Sequence, residues 1–172
     1  METEQIDELV DPKQQLKEKR GKTLPVICIL TMVNVGWMVI NSLMQIARGP
    51  SNAEELAEIK VKAMEGLQED SPEWAINFVM DSIEYAEIAN EKIYLISIIG
   101  IVLAGLGFLA AWMMYKLKKN GFWLYLVYTG AAIAQPLVLA PGNKLGILMA
   151  LFGAIISAVF IILYAVQLKR ME

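Results

Sequence analysis

Glu73, Asp81, Glu84 and Glu91 share one broad face of a single helical stretch, with Asn77 between them. Such a carboxylate stripe can hold hard cations through oxygen ligands, or dock a basic partner; more often a run of this kind is a solvated face. Divalent-ion sites add a tight, glycine-bearing loop, and no D-x-D-x-D-G pattern occurs here, so no metal site is expected. A second set of polar residues is uncharged. Thr31, Asn34, Asn41 and Gln45 are spaced 3, 7 and 4 apart on one face of an apolar segment. Gln135, beside Pro136, adds an amide to another apolar segment. Lipid does not hydrogen-bond amides, so these side chains should turn toward neighbouring helices or a water-filled path. Interhelical hydrogen bonding is the simpler role, because the stripe contains no ionisable member.

Much other chemistry lacks its residues. There is no histidine, hence no imidazole base, metal ligand or pH switch. The single cysteine, Cys28, lies inside an apolar run and cannot form an intramolecular disulfide. No phosphate loop, dinucleotide turn or Cys/His cluster appears. Ion-coupled transport and proton relay usually need an ionisable residue at membrane depth, and no apolar run holds one well inside it. The expectation is a non-enzymatic protein without cofactor. A net charge of -3 gives no reason to expect nucleic acid.

Two stripes of small residues allow helices to approach closely. One is Gly100, Ala104, Gly107 and Ala111; the other is Gly146, Ala150, Ala154 and Ala158. Either packing within one bundle or oligomerisation would use them.

The elements that must carry these residues follow from hydropathy. Hydrophobic residues make up 56% of the 172-residue chain and fall into long runs. Residues 24–47, 93–117, 122–140 and 145–168 are each long enough to cross a hydrocarbon core, which takes about 20 residues at about 1.5 Å per residue. The expected fold is all-α: a polytopic integral membrane protein, a four-transmembrane-helix bundle in one domain. Residues 1–23 form a charged tail, with a short surface helix over about 12–20 started by Asp11-Pro12. The first apolar run is too long for a cleaved signal and reads as an uncleaved anchor.

The 48–92 loop is helical in pattern. Ser51 and Glu54 form a capping box after Pro50, and Ser71-Pro72-Glu73 restarts a helix after Glu69-Asp70. A helical hairpin is therefore expected between the first two spans. Its second helix shows no stop before 93, which predicts one continuous helix from about 72 to about 118. Trp74, Phe78, Val79, Ile83 and Tyr85 make it more apolar than a solvated helix requires. A patch left exposed there would indicate a partner.

Lys and Arg set the orientation. The tail holds five, the 116–120 turn three and the C-terminus two, against one in the 141–144 turn. The loop spreads four basic residues among eleven acidic ones. Both termini are thus expected in the cytoplasm and the acidic hairpin outside, in a bacterial plasma (inner) membrane. Trp112, Tyr115, Phe122, Trp123 and Tyr164 would anchor the inner interface and Tyr94 the outer one. Function reads as an accessory or assembly subunit acting through contacts with another membrane protein or with itself, besides the lipid bilayer. Its docking face would be Glu73, Asp81, Glu84 and Glu91. The alternatives are an oligomeric passive channel lined by the polar stripe beneath an acidic vestibule, and a membrane sensor.

Overall fold

The computed structural model describes residues 21, 23–67 and 71–171, apart from the Arg170 side chain. Six α-helices follow in order: α1 (Thr23–Arg48), α2 (Ala53–Glu65), α3 (Glu73–Glu91), α4 (Ile93–Tyr115), α5 (Asn120–Leu139) and α6 (Lys144–Gln167). A 3-10 turn, Leu168–Arg170, follows α6. Four of these helices, α1, α4, α5 and α6, are long and apolar enough to cross a membrane, which points to an integral membrane protein. The tail helix expected over 12–20 and the Glu69-Asp70 break lie outside the described residues.

The helix ends follow their local chemistry. Pro25 in the first turn of α1 gives up no hydrogen bond, since the first amides of a helix lack partners anyway. At the far end Gly49 takes φ +70°, and its N–H reaches the Gln45 carbonyl. Glycine is required there twice over, for the left-handed backbone and because the Tyr94 hydroxyl would lie 3.0 Å from any Cβ. Between α5 and α6, Pro141 and Gly142 (φ +82°) occupy the corners of a turn closed by Asn143 N–H to the Ala140 carbonyl. The α4–α5 turn puts Leu117, not a glycine, at φ 64°. Its two bonds, Leu117 to Met114 and Lys118 to Met113, are those of a Schellman ending, and the Leu117 side chain is buried in the core.

Two details of the loop differ from the sequence pattern. The cap of α2 is Asn52, whose side chain accepts from the Glu55 amide, rather than Ser51. Ser51 is otherwise engaged, its amide donating to Asn90 of α3. The expected single helix over 72–118 is also broken, at Lys92 (φ −101°, ψ 19°), although Lys92 N–H still reaches the Ile88 carbonyl. No proline or glycine causes this break. Side-chain ties hold α3 to other elements, so α3 packs chiefly on α2 and α6 and only slightly on α4.

In the bundle, α4 is the central element, flanked by α1 and α5, with α6 against α5. Neighbours run antiparallel: Gly100 faces Ser42, Gly107 faces both Val35 and Tyr128, and Gly153 faces Ile133. Within their most apolar stretches 33% of α4 is buried but only 11% of α6, which makes α6 the peripheral helix. The core lies toward the end that holds Thr23, Tyr115 and Gln167, around Leu24, Cys28, Met114, Tyr125 and Tyr164. The opposite end, beneath α3, is less filled.

Candidate functional site

The polar stripe of α1 divides among different neighbours. Thr31 is buried and its hydroxyl lies 2.8 Å from that of Tyr164 on α6. Tyr164 is fully buried and meets Tyr125 edge to face at 4.9 Å. Near the other end of α1, the Gln45 carbonyl oxygen accepts from Ser97 of α4 at 3.2 Å. Asn34 and Asn41 each precede a buried residue, Val35 and Ser42, and so flank the seam instead of lying in it. Asn34 is exposed at the wall of a cavity of about 260 Å³, shared with Tyr128, Thr129 and Ser157.

A larger cavity of about 600 Å³ opens at the α3 end of the bundle. Gln45 of α1 and Gln135 of α5 both line it, so these two members of the polar set are brought to one space within a single chain. Tyr85 and Asn90 of α3 contribute its roof. Ala132 lines both cavities. Burial raises the Tyr85 hydroxyl above the ordinary tyrosine range, which keeps it a neutral donor.

Two asparagines secure that roof. Asn90 accepts from the Ser51 amide at 2.7 Å and donates to the Ser51 carbonyl at 3.1 Å. Asn143, buried just before α6, accepts from the Gly146 amide and caps that helix. Its NH2 group reaches the Asp81 carbonyl at 2.9 Å and a Glu84 carboxylate oxygen at 3.0 Å. The carboxylate face of α3 is thereby divided. Asp81 and Glu84 turn toward the α5–α6 turn, where Lys144 Nζ stands 3.6 Å from Asp81 Oδ2. Glu84 stays exposed despite its bond to Asn143, and Glu73 and Glu91 are exposed too. Glu87 pairs with Lys60 of α2, an exposed contact of small energetic weight. Trp74 is 73% exposed, and Ile76, Phe78 and Met80 beside it are also exposed. Among the described residues, no three acidic or cysteine side chains cluster closely enough to hold a metal ion.

The small residues of α4 are consumed inside the bundle. Gly100, Ala104, Gly107 and Ala111 are all buried. A Cβ on Gly100 would lie 2.6 Å from Ser42 Oγ, and one on Gly107 2.9 Å from Val35. On α6 the stripe runs out of the bundle as it proceeds. Gly146 and Ala150 are buried, Ala154 is half-buried and Ala158 is exposed.

Asn90, Tyr125 and Tyr128 carry much of this geometry without any sequence signal that singles them out, whereas Tyr85 belongs to the apolar set expected to pack. Asn143 was findable in part, since asparagine before an apolar run is a helix-cap signature. Of the aromatic residues expected at interfaces, Tyr164 and Phe122 are buried in the core, whereas Trp123 is exposed and Trp112 carries Lys116 over its ring. Comparison with protein-family models, with curated proteins and with solved structures finds no match to this chain.

Proposed function

We propose that this protein is a non-enzymatic integral membrane protein that acts through contacts, as an accessory or assembly subunit of a membrane complex. In this reading α2 and α3 form a hairpin on the outer side of a plasma membrane, with four spans and cytoplasmic termini. The observation that carries it is the state of α3. This helix is tied to the rest of the chain at Ser51 and at Asn143, yet it presents Trp74 and Phe78, four residues apart on one face, to its surroundings. Ordering a helix outside the spans while leaving large apolar side chains uncovered suits a preformed docking face, because little entropy is lost on binding. The exposed Glu73 and Glu91, and the acidic excess of the 48–92 segment, favour a partner with a basic rim. Aromatic residues such as Trp74 are the type that dominates interface energetics.

The test is gentle solubilisation, affinity purification and native mass spectrometry of the full-length protein, compared with a Trp74→Ala/Phe78→Ala variant. A second protein at fixed stoichiometry, lost from the variant while its melting temperature stays unchanged, is the expected result. A chain that purifies alone, wild type and variant alike, defeats the reading. Liposome flux with Asn34→Leu and Asn41→Leu would then test the facilitator alternative.

A further inference from the structure

The larger cavity contains hydrogen-bonding capacity that the chain itself leaves unused. Its volume of about 600 Å³ is within the range of small-molecule sites, and its walls come from five helices. Most of the lining is apolar, with Ile96 and Met149 typical. Besides Tyr85 and Asn90 in the roof, three neutral groups interrupt it. The Gln135 amide has no hydrogen-bond partner among the described residues. Gln45 uses only its carbonyl oxygen, toward Ser97, which leaves the NH2 donors free. Pro136 has no N–H, so the Ala132 carbonyl one turn earlier loses its helical donor. An amide or carbonyl facing an apolar lining without a partner is unfavourable, and no charged side chain lines the cavity to attract an ion.

The entrance is indicated by a second feature. A largely apolar groove of about 420 Å³ on the α4–α5 flank, with Lys92 in its lining, shares Ile96, Gln135 and Leu139 with the cavity. Gln135 therefore sits where the interior meets the face turned to lipid. We propose that the cavity binds a neutral amphiphile taken from the membrane, an apolar body with a single hydroxyl, carbonyl or amide head that hydrogen-bonds Gln135. The site is separate from the exposed face of α3 and does not depend on the docking reading.

The test uses the full-length protein in lipid nanodiscs and a long-chain alcohol carrying a diazirine and an alkyne. Photolabelling and peptide mass spectrometry should place the label on 85–96 and 132–139. Unlabelled dodecanol should compete. Dodecyltrimethylammonium, the same chain with a fixed charge, should compete at least about tenfold less well, because no acidic side chain lines the cavity and Lys92, a like charge, lines the groove that leads to it. Gln135→Leu, close in size and compatible with lipid, should weaken competition by dodecanol about three- to tenfold, the effect of one hydrogen bond. Ala89→Phe, which fills the cavity, should abolish the label, with its melting temperature reporting whether the fold is kept. If that variant unfolds, Gln135→Leu decides alone. Label spread evenly over the exposed faces of α4 and α6, equal competition by alcohol and ammonium, or wild-type behaviour of Gln135→Leu would each overturn the site. Loss of a partner in Trp74→Ala/Phe78→Ala leaves these readouts unmoved, so the two proposals fail separately.

Discussion

Gly105 and Gly107 lie two residues apart on α4 and face opposite surroundings. A Cβ at Gly105 would meet nothing within 4 Å. At Gly107 it would stand 2.9 Å from Val35 Cγ2 and 3.1 Å from two ring atoms of Tyr128. Neither neighbour is free to withdraw, since Val35 and Tyr128 are both buried and the Tyr128 ring lies 5.8 Å from that of Tyr125. Substitution by alanine favours the helix by about 0.5–1 kcal/mol at either position. At Gly107 overpacking opposes this by about 1–3 kcal/mol. The propensity gain is common to both variants, so their difference isolates the packing: Gly107→Ala should be about 1–3 kcal/mol less stable than Gly105→Ala. Equilibrium unfolding in mixed micelles, with denaturing detergent titrated into a mild one, measures that difference directly. Two variants equal within about 0.5 kcal/mol would mean that α4 does not present this face to α1 and α5, and the account of the bundle centre would fail.

Tyr164→Phe should lower stability by about 1 kcal/mol through loss of the bond to Thr31. A double-mutant cycle with Thr31→Val should show the two losses to be shared, and simple additivity would deny the contact. Asn143→Ala removes the α6 cap and the tie to α3 together, so a loss of about 2 kcal/mol is expected. Amide exchange over 73–91 should accelerate with it while that of α4 holds, and unchanged protection of α3 would refute the clamp. Ala150→Leu should destabilise the bundle by about 1–3 kcal/mol, because Ala150 is buried, while Ala158→Leu should leave the melting temperature as it was. A lower particle mass for Ala158→Leu would reveal that the exposed end of the stripe joins two copies.

The four apolar helices were legible because the signal is one-dimensional. A hydrocarbon core demands about 20 consecutive apolar residues, and the observed Thr23–Arg48, Ile93–Tyr115, Asn120–Leu139 and Lys144–Gln167 each meet that demand. The 141–144 turn was legible for a similar reason, since the left-handed backbone that Gly142 adopts there selects glycine locally. Leu117, in the same backbone region, was not, because burial of its side chain holds it there.

What tertiary structure alone decided is which neighbour each polar or small residue meets. Thr31 and Gln45 share a helix face in sequence, yet one bonds α6 and the other α4, because a straight helix passes different neighbours along its length. The carboxylates of α3 share a face too, but Asn143, some sixty residues away in the chain, bonds Glu84 and the backbone of Asp81 and reaches neither Glu73 nor Glu91. The break at Lys92 has the same origin, arising where α3 is held against other elements and not from any breaker residue. Periodicity records what a helix can bury. The partner that buries it is chosen by how four helices pack, and that choice depends on contacts between residues far apart in the chain.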